Sequence, residues 1–241
     1  MESVQILYHG VQMDQLINNV TKRLILDKIF DSIKLKVLDK TAEYCGNPND
    51  AFWKNPIVIT LKTTGERCWL YFTRIDSLPR VFLIPNHIRI GYPYPKIFHL
   101  TKSLNSRDEG IYENTLLECE VLGGSIPGST NFVPLYILTG DILIHKGKDM
   151  RDVNPCVRFS TIINILKSIS SINEDFIKIQ FKQLFSSREL KKVIQFIKKL
   201  DYKVNGIFFY SCSPGDETMK PRLFFDHKEE LYTNSWVKRK Q

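Results

Sequence analysis

Lys62-Thr63-Thr64-Gly65-Glu66-Arg67 brings together an amine, a glycine and a guanidinium within six residues. Lys62 ends the apolar run Ile57-Val58-Ile59-Thr60-Leu61, and Cys68-Trp69-Leu70-Tyr71-Phe72 follows the motif. Both runs are rich in β-branched and aromatic residues and read as strands, which puts Lys62 at a strand edge beside a pocket. A lysine so placed suits covalent transfer, because an amine is a good nucleophile toward phosphorus once its proton is gone. A free lysine has a pKa near 10.4, so at neutral pH something must lower it, and neighbouring cations do so by opposing a further positive charge. Gly65 supplies a backbone that a ligand can approach closely.

Further elements follow in order. Val81-Phe82-Leu83-Ile84-Pro85-Asn86 reads as a strand, as does Thr115-Leu116-Leu117-Glu118-Cys119-Glu120-Val121. Tyr136 to Gly147, YILTGDILIHKG, reads as a strand and a turn, and Phe176 to Lys182 as a basic strand. Val204-Asn205-Gly206-Ile207-Phe208-Phe209 and the terminal Ser235-Trp236-Val237-Lys238-Arg239-Lys240-Gln241 complete the set. The ordered set, from about Trp53 to the last residue, resembles the motifs of mRNA capping guanylyltransferases, members of the covalent nucleotidyltransferase superfamily that also holds DNA and RNA ligases. KTTGER is similar to their KxDGxR signature.

The resemblance implies an α+β fold, a nucleotidyltransferase domain of the ATP-grasp-like, DNA-ligase type. Antiparallel sheets flanked by helices would hold the nucleotide between them. It implies that Lys62 attacks GTP, releases pyrophosphate and passes GMP to a 5′-diphosphate RNA end. Lys238 and Lys240 match the paired phosphate-binding lysines and, with Mg²⁺ or Mn²⁺, are the cations expected to depress the Lys62 pKa and neutralise transition-state charge. Gly65, Arg67, Glu120 and Gly206 fall on nucleotide-binding positions. Glu120, Asp141 and Asn205 fall on metal positions, where hard oxygen ligands suit these cations.

Three positions depart from the pattern. Thr64 replaces the usual aspartate of KxDG, and Cys119 stands where glycine is usual. Asn205 replaces an acid, and its neutral amide adds no negative charge for a metal. The chain also reaches Gln241 without the OB-fold lid that normally follows, which leads us to expect a lid from a second chain or a further segment. Short, divergent chains of this kind suit viruses or cytoplasmic genetic elements that cap their own messages. Two alternatives stand beside the capping enzyme: an ATP-dependent RNA or DNA ligase, and a non-catalytic cap-binding or scaffold module of the same fold.

The elements that must position these residues fit one main domain, residues 51–241, with residues 1–50 as an N-terminal helical appendage. Within residues 11–40, Leu16, Ile17, Val20, Leu24 and Ile25 fall at helical spacing. Gly46-Asn47-Pro48-Asn49-Asp50 is a turn cluster and the early boundary. Residues 57–145 read as short strands broken by a polar loop from Ser103 to Gly110. Ile162, Ile163, Ile165 and Leu166 mark one later helix, and a second opens at Ser187 as cap and carries Lys191, Lys192, Lys198 and Lys199 as a solvated face. In 241 residues, 43% hydrophobic, Lys and Arg exceed Asp and Glu by 8. That excess favours a polyanionic partner such as RNA. Cys45, Cys68, Cys119, Cys156 and Cys212 have no metal-ligand spacing, and their odd number suggests reduced thiols. With no signal peptide in the first fifteen residues and no long apolar run, a cytoplasmic protein without membrane contact is expected.

Overall fold

The computed structural model describes residues 1–33, 43–44, 56–85, 94–100, 104–123, 134–171, 176–200, 202, 204–212 and 222–223. It opens on a hairpin of β1 (Ser3–Tyr8) and β2 (Val11–Leu16). The two-residue turn has φ +46° at His9 and +79° at Gly10. This left-handed pair matches the twist of the flanking strands. Helix α1 (Asn19–Ile33) follows, its first amides capped by Asn18, whose Oδ1 accepts from Val20 N at 2.9 Å and Thr21 N at 3.1 Å. Its buried stripe is Lys22, Ile25, Leu26 and Ile29. Residues 1–50 are therefore not a purely helical appendage, since Leu16 lies in a strand and Ile17, Val20 and Leu24 are exposed.

The next strands are β3 (Glu43–Tyr44), β4 (Ile57–Thr63), β5 (Glu66–Ile75), β6 (Leu78–Pro85), β7 (Phe98–His99) and β8 (Leu104–Ser106). A 3-10 turn (Glu109–Tyr112) then precedes β9 (Thr115–Gly123), β10 (Leu135–His145) and β11 (Lys148–Asp149). Helix α2 (Pro155–Ser168), β12 (Ile169–Ser171), β13 (Ile177–Phe181) and β14 (Leu184–Ser186) lead to a 3-10 turn (Ser187–Glu189). Helix α3 (Leu190–Ile197), β15 (Val204–Ser211) and β16 (Arg222–Leu223) complete the described elements. The α3 entry is held by Glu189, whose carboxylate accepts from Ser186 N at 3.1 Å and from Lys192 Nζ at 2.9 Å, while Ser187 sits in the 3-10 turn. This is the back-reaching half of a capping box.

The chain divides into two compact units. Unit 1 comprises Met1–Leu38, Gly65–Arg151 and Val157–Phe181, and unit 2 comprises Asp39–Thr64, Asp152–Cys156 and Lys182–Gln241. Unit 1 is built on a nine-stranded sheet ordered β1-β2-β7-β6-β5-β9-β10-β11, with β13 also pairing β10, in parallel. A two-stranded sheet of β12 and β8 lies in the same unit. Unit 2 carries a five-stranded sheet ordered β14-β4-β15-β16-β3. Its core joins Ile57, Ile59 and Leu61 of β4 to Ile207 and Phe209 of β15, with Phe185 and Val193. Among the described residues the sheets are mostly antiparallel and three α-helices accompany them, an α+β architecture.

Candidate functional site

The KTTGER segment crosses from one unit to the other, with Lys62 to Thr64 in unit 2 and Gly65 to Arg67 in unit 1. In unit 2, Lys62 is the penultimate residue of β4 and is partly exposed, while Leu61 beside it points into the core. Its partner in the β4–β15 register is Gly206. A glycine there has no side chain to cover the lysine stem. The register slips between Val204 and Gly206, which makes Asn205 the extra residue of a β-bulge, unpaired in the ladder. Lys62, Asn205 and Gly206 thus gather at one end of the β4–β15 pair. Lys238 and Lys240 lie outside the described residues.

In unit 1, Arg67 and Glu120 are register partners on β5 and β9, and Trp69 faces Glu118 one step on. The alternation of strands puts Arg67, Glu118 and Glu120 on one face, with Cys68 and Cys119 on the other. Arg67 Nη2 reaches Glu118 Oε1 at 3.3 Å while half of its side chain stays in solvent. Glu120 is buried. Gly65 has a reason for being glycine within its own unit: a Cβ there would lie 2.7 Å from Val121 O and 3.0 Å from Glu120 Cβ. The glycine lets the motif turn press against β9.

Asp141 reaches the same face through a second bulge, because the β9–β10 register skips Gly140 and sets Asp141 opposite Glu118. Two carboxylates directly opposed across strands repel each other. Helix α2 answers with Arg158, whose Nε and Nη2 donate to Asp141 Oδ1 and Oδ2 at 2.8 and 3.0 Å. Asp141 Oδ1 also accepts from Ile142 N at 2.8 Å. Both carboxylate oxygens are engaged, in a pair with side-chain exposures of 1% for Arg158 and 8% for Asp141. Among the described residues no three His, Cys, Asp or Glu side chains converge to hold a metal. Of the three expected metal positions, Glu120 and Asp141 belong to unit 1 and Asn205 to unit 2.

Sequence reasoning missed four neighbours of the motif. Arg158 is the charged member of an otherwise apolar buried helix stripe of Pro155, Phe159, Ile162 and Ile165, and that isolation was its signal. Glu118 was visible as the i−2 neighbour of Glu120. Tyr8 and His9 gave no signal, yet both converge on Glu66 Oε2, Tyr8 by donating its hydroxyl at 2.7 Å and His9 through Nε2 at 3.0 Å. Burial, reinforced by the Glu66 carboxylate, pushes the Tyr8 phenol well above its ordinary value. The Cys68 thiol is likewise pushed up, first by burial and then by Cys119, Glu66, Glu120 and Glu118. Lys191 and Lys192 of α3, Lys198 at its C-terminal cap and Lys199 in the turn beyond are all exposed, so the expected helix face carries only the first two.

No protein-family model matches the chain, and no curated protein matches it. Among solved structures it is similar to two chains named Pmar-Lig_Pre. and Pmar-Lig_PreS3, at 11% identity in both cases. The TM-scores are 0.35 and 0.34, over 76% and 85% of this chain and 46% and 50% of theirs. The chain thus spans about half the length of these structures. A likeness of this size carries no weight for fold or activity. No helix among the described residues is long and apolar enough to cross a membrane, which leaves a β-barrel unaddressed.

Proposed function

We propose that this chain is an RNA guanylyltransferase: Lys62 Nζ attacks the α-phosphorus of GTP, pyrophosphate leaves, and the lysyl-bound GMP passes to a 5′-diphosphate RNA end. The observation that supports the reading is the register of the motif residues. Lys62 is the cross-strand neighbour of Gly206, and Arg67 of Glu120, although the members of each pair lie far apart in sequence. Residue types drawn from separate motifs become direct neighbours, which is how strand-end residues build a site. In this reading Arg67 and Glu120 hold the ribose, and Lys238 and Lys240 disfavour the Lys62 proton by like charge. Mg²⁺ or Mn²⁺ enters as the counter-ion of the GTP phosphates, which is the usual way a small hard cation reaches such sites. An OB-fold lid from a second chain and a cytoplasmic location complete the proposal.

One observation favours the non-catalytic alternative. The bulge residue of β15 is Asn205, where a catalytic site calls for an acid, and that loss fits a module that binds capped RNA without reacting. Covalent labelling separates the two. Protein is incubated with α-labelled GTP or ATP and Mg²⁺ or Mn²⁺, denatured and run on a gel beside a folded Lys62→Ala variant. A GTP band lost in the variant is expected. An ATP band reassigns the chain to the ligases. No band from either nucleotide, with tight binding to capped RNA, overturns the enzyme in favour of the binding module.

A further inference from the structure

The cysteines divide into two kinds. Cys68 and Cys119 face each other across β5 and β9 with no solvent access. Cys156 and Cys212 are partly exposed and joined by a disulfide, with their Cα atoms 6.0 Å apart. The expectation of reduced thiols throughout is therefore corrected at this pair. Its surroundings are specific. Pro155 occupies the first position of α2, and Asn154 caps the helix, its Oδ1 accepting from Cys156 N at 2.9 Å. Asn154 also reaches the partner, because its Nδ2 donates to Cys212 O at 3.1 Å. Cys212 N in turn donates to Pro56 O at 2.8 Å, just ahead of β4.

We propose that Cys156 and Cys212 form a reversible thiol–disulfide exchange site in which Cys156 is the attacking thiol and a small disulfide, such as oxidised glutathione, is the oxidant. Cys156 sits in the first turn of a helix of 14 residues. The positive end of the helix dipole there stabilises a thiolate, the reactive form of cysteine. The Cys156 thiolate attacks one sulfur of the small disulfide and displaces a glutathione thiolate, which takes up a proton. The Cys212 thiolate then attacks Cys156 Sγ and releases the second glutathione. Two protein thiols are oxidised and one small disulfide is reduced to two thiols; an excess of the reduced thiol drives the same steps backward. Buried Cys68 and Cys119 take no part, since no reagent reaches them and burial disfavours the Cys68 thiolate.

The exchange chemistry is independent of the nucleotide chemistry. The bond ties the Asp152–Cys156 segment to the end of β15 where Ser211 pairs with Ile57, and Gly206 of the same strand pairs with Lys62. Reduction removes the covalent tie and leaves the two hydrogen bonds of Cys212.

The test uses full-length protein carrying Cys45→Ser, equilibrated in glutathione buffers from fully reduced to fully oxidised, quenched in acid and alkylated. Intact mass and peptide mapping should show one two-thiol transition confined to Cys156 and Cys212, with a melting temperature several degrees lower on the reduced side. With Cys212→Ser added, Cys156 should be alkylated by iodoacetamide several-fold faster at pH 7 than an ordinary exposed cysteine, and Asn154→Ala should slow it. A pair that stays dithiol in every buffer, or one that no glutathione buffer reduces in native protein, overturns the proposal. So does a Cys156 that reacts no faster than an ordinary thiol.

Discussion

Asp141 offers the sharpest test of how the charged face is held. In the structure its carboxylate is spent on Arg158 and on the Ile142 amide, inside the protein and opposite Glu118. Asp141→Asn removes the charge but keeps the shape, and leaves the Arg158 guanidinium buried beside a neutral amide. Breaking one side of a buried pair costs about 3–5 kcal/mol, because the survivor keeps its desolvation cost without its partner. For a chain of this length each kcal/mol moves the melting temperature by roughly 2–4 °C, so a loss of roughly 6–20 °C is expected. Arg158→Met should fall in the same range, since it strands the carboxylate near Glu118. The double variant Asp141→Leu, Arg158→Met removes both charges and should lie within about 1–2 kcal/mol of the parent. Urea unfolding followed by circular dichroism, with hydrogen exchange in β10 and α2 to localise the effect, closes the double-mutant cycle. If Asp141→Asn leaves stability unchanged or raises it, the Asp141–Arg158 pair does not hold the face, and a carboxylate kept for a cation at a cost in stability becomes the better account.

The remaining predictions concern the motif and its neighbours. Gly65→Ala drives a methyl group against the Val121 carbonyl and should cost about 1–3 kcal/mol as overpacking, seen as a lower urea midpoint before any ligand is added. Tyr8→Phe deletes a charge-assisted hydrogen bond to Glu66 and should cost about 1.5–3 kcal/mol in the same assay. Burial raises the Tyr8 phenol and pushes that of Tyr71 up to about 12, so the folded chain keeps these protons longer than the unfolded chain. Their contribution is complete below the ordinary tyrosine value near 10 and is lost as pH rises beyond it. Burial also raises the Tyr112 phenol, so absorbance titration at about 295 nm should show Tyr8, Tyr71 and Tyr112 among the late tyrosines, while urea stability falls between about pH 10 and 12.

Much of the strand pattern was legible because it rests on local chemistry. The β-branched and aromatic runs at Ile57, Cys68, Val81, Thr115, Tyr136, Ile177 and Val204 became β4, β5, β6, β9, β10, β13 and β15. The N-terminal hairpin was not legible, because β1 exposes Val4 and Leu7 and so blurs the alternation that marks a strand. The helix phase was misread for a related reason: Ile17, Val20 and Leu24 are apolar but face solvent, and the buried stripe includes Lys22. Lys62, Arg67 and Glu120 were singled out by motif order alone. The bulges at Asn205 and Gly140 depend on how two strands meet, and no single segment encodes that. The same holds for Arg158 on Asp141 and for the disulfide, whose cysteines are 56 residues apart.

The pairing of β4 also bears on how the chain is made. Its hydrogen-bonded neighbours are β14 and β15, and Ile57 meets Ser211. During synthesis the peptide that carries Lys62 leaves the ribosome long before the strand that completes it. At roughly 5–20 residues per second that wait is on the order of ten to thirty seconds, during which the apolar face of β4 has no lasting partner. The nascent chain therefore passes through a stage that invites capture by chaperones or by other unfinished chains. The lysine strand completes its pairing only once β14 and β15, both in the C-terminal third, have emerged.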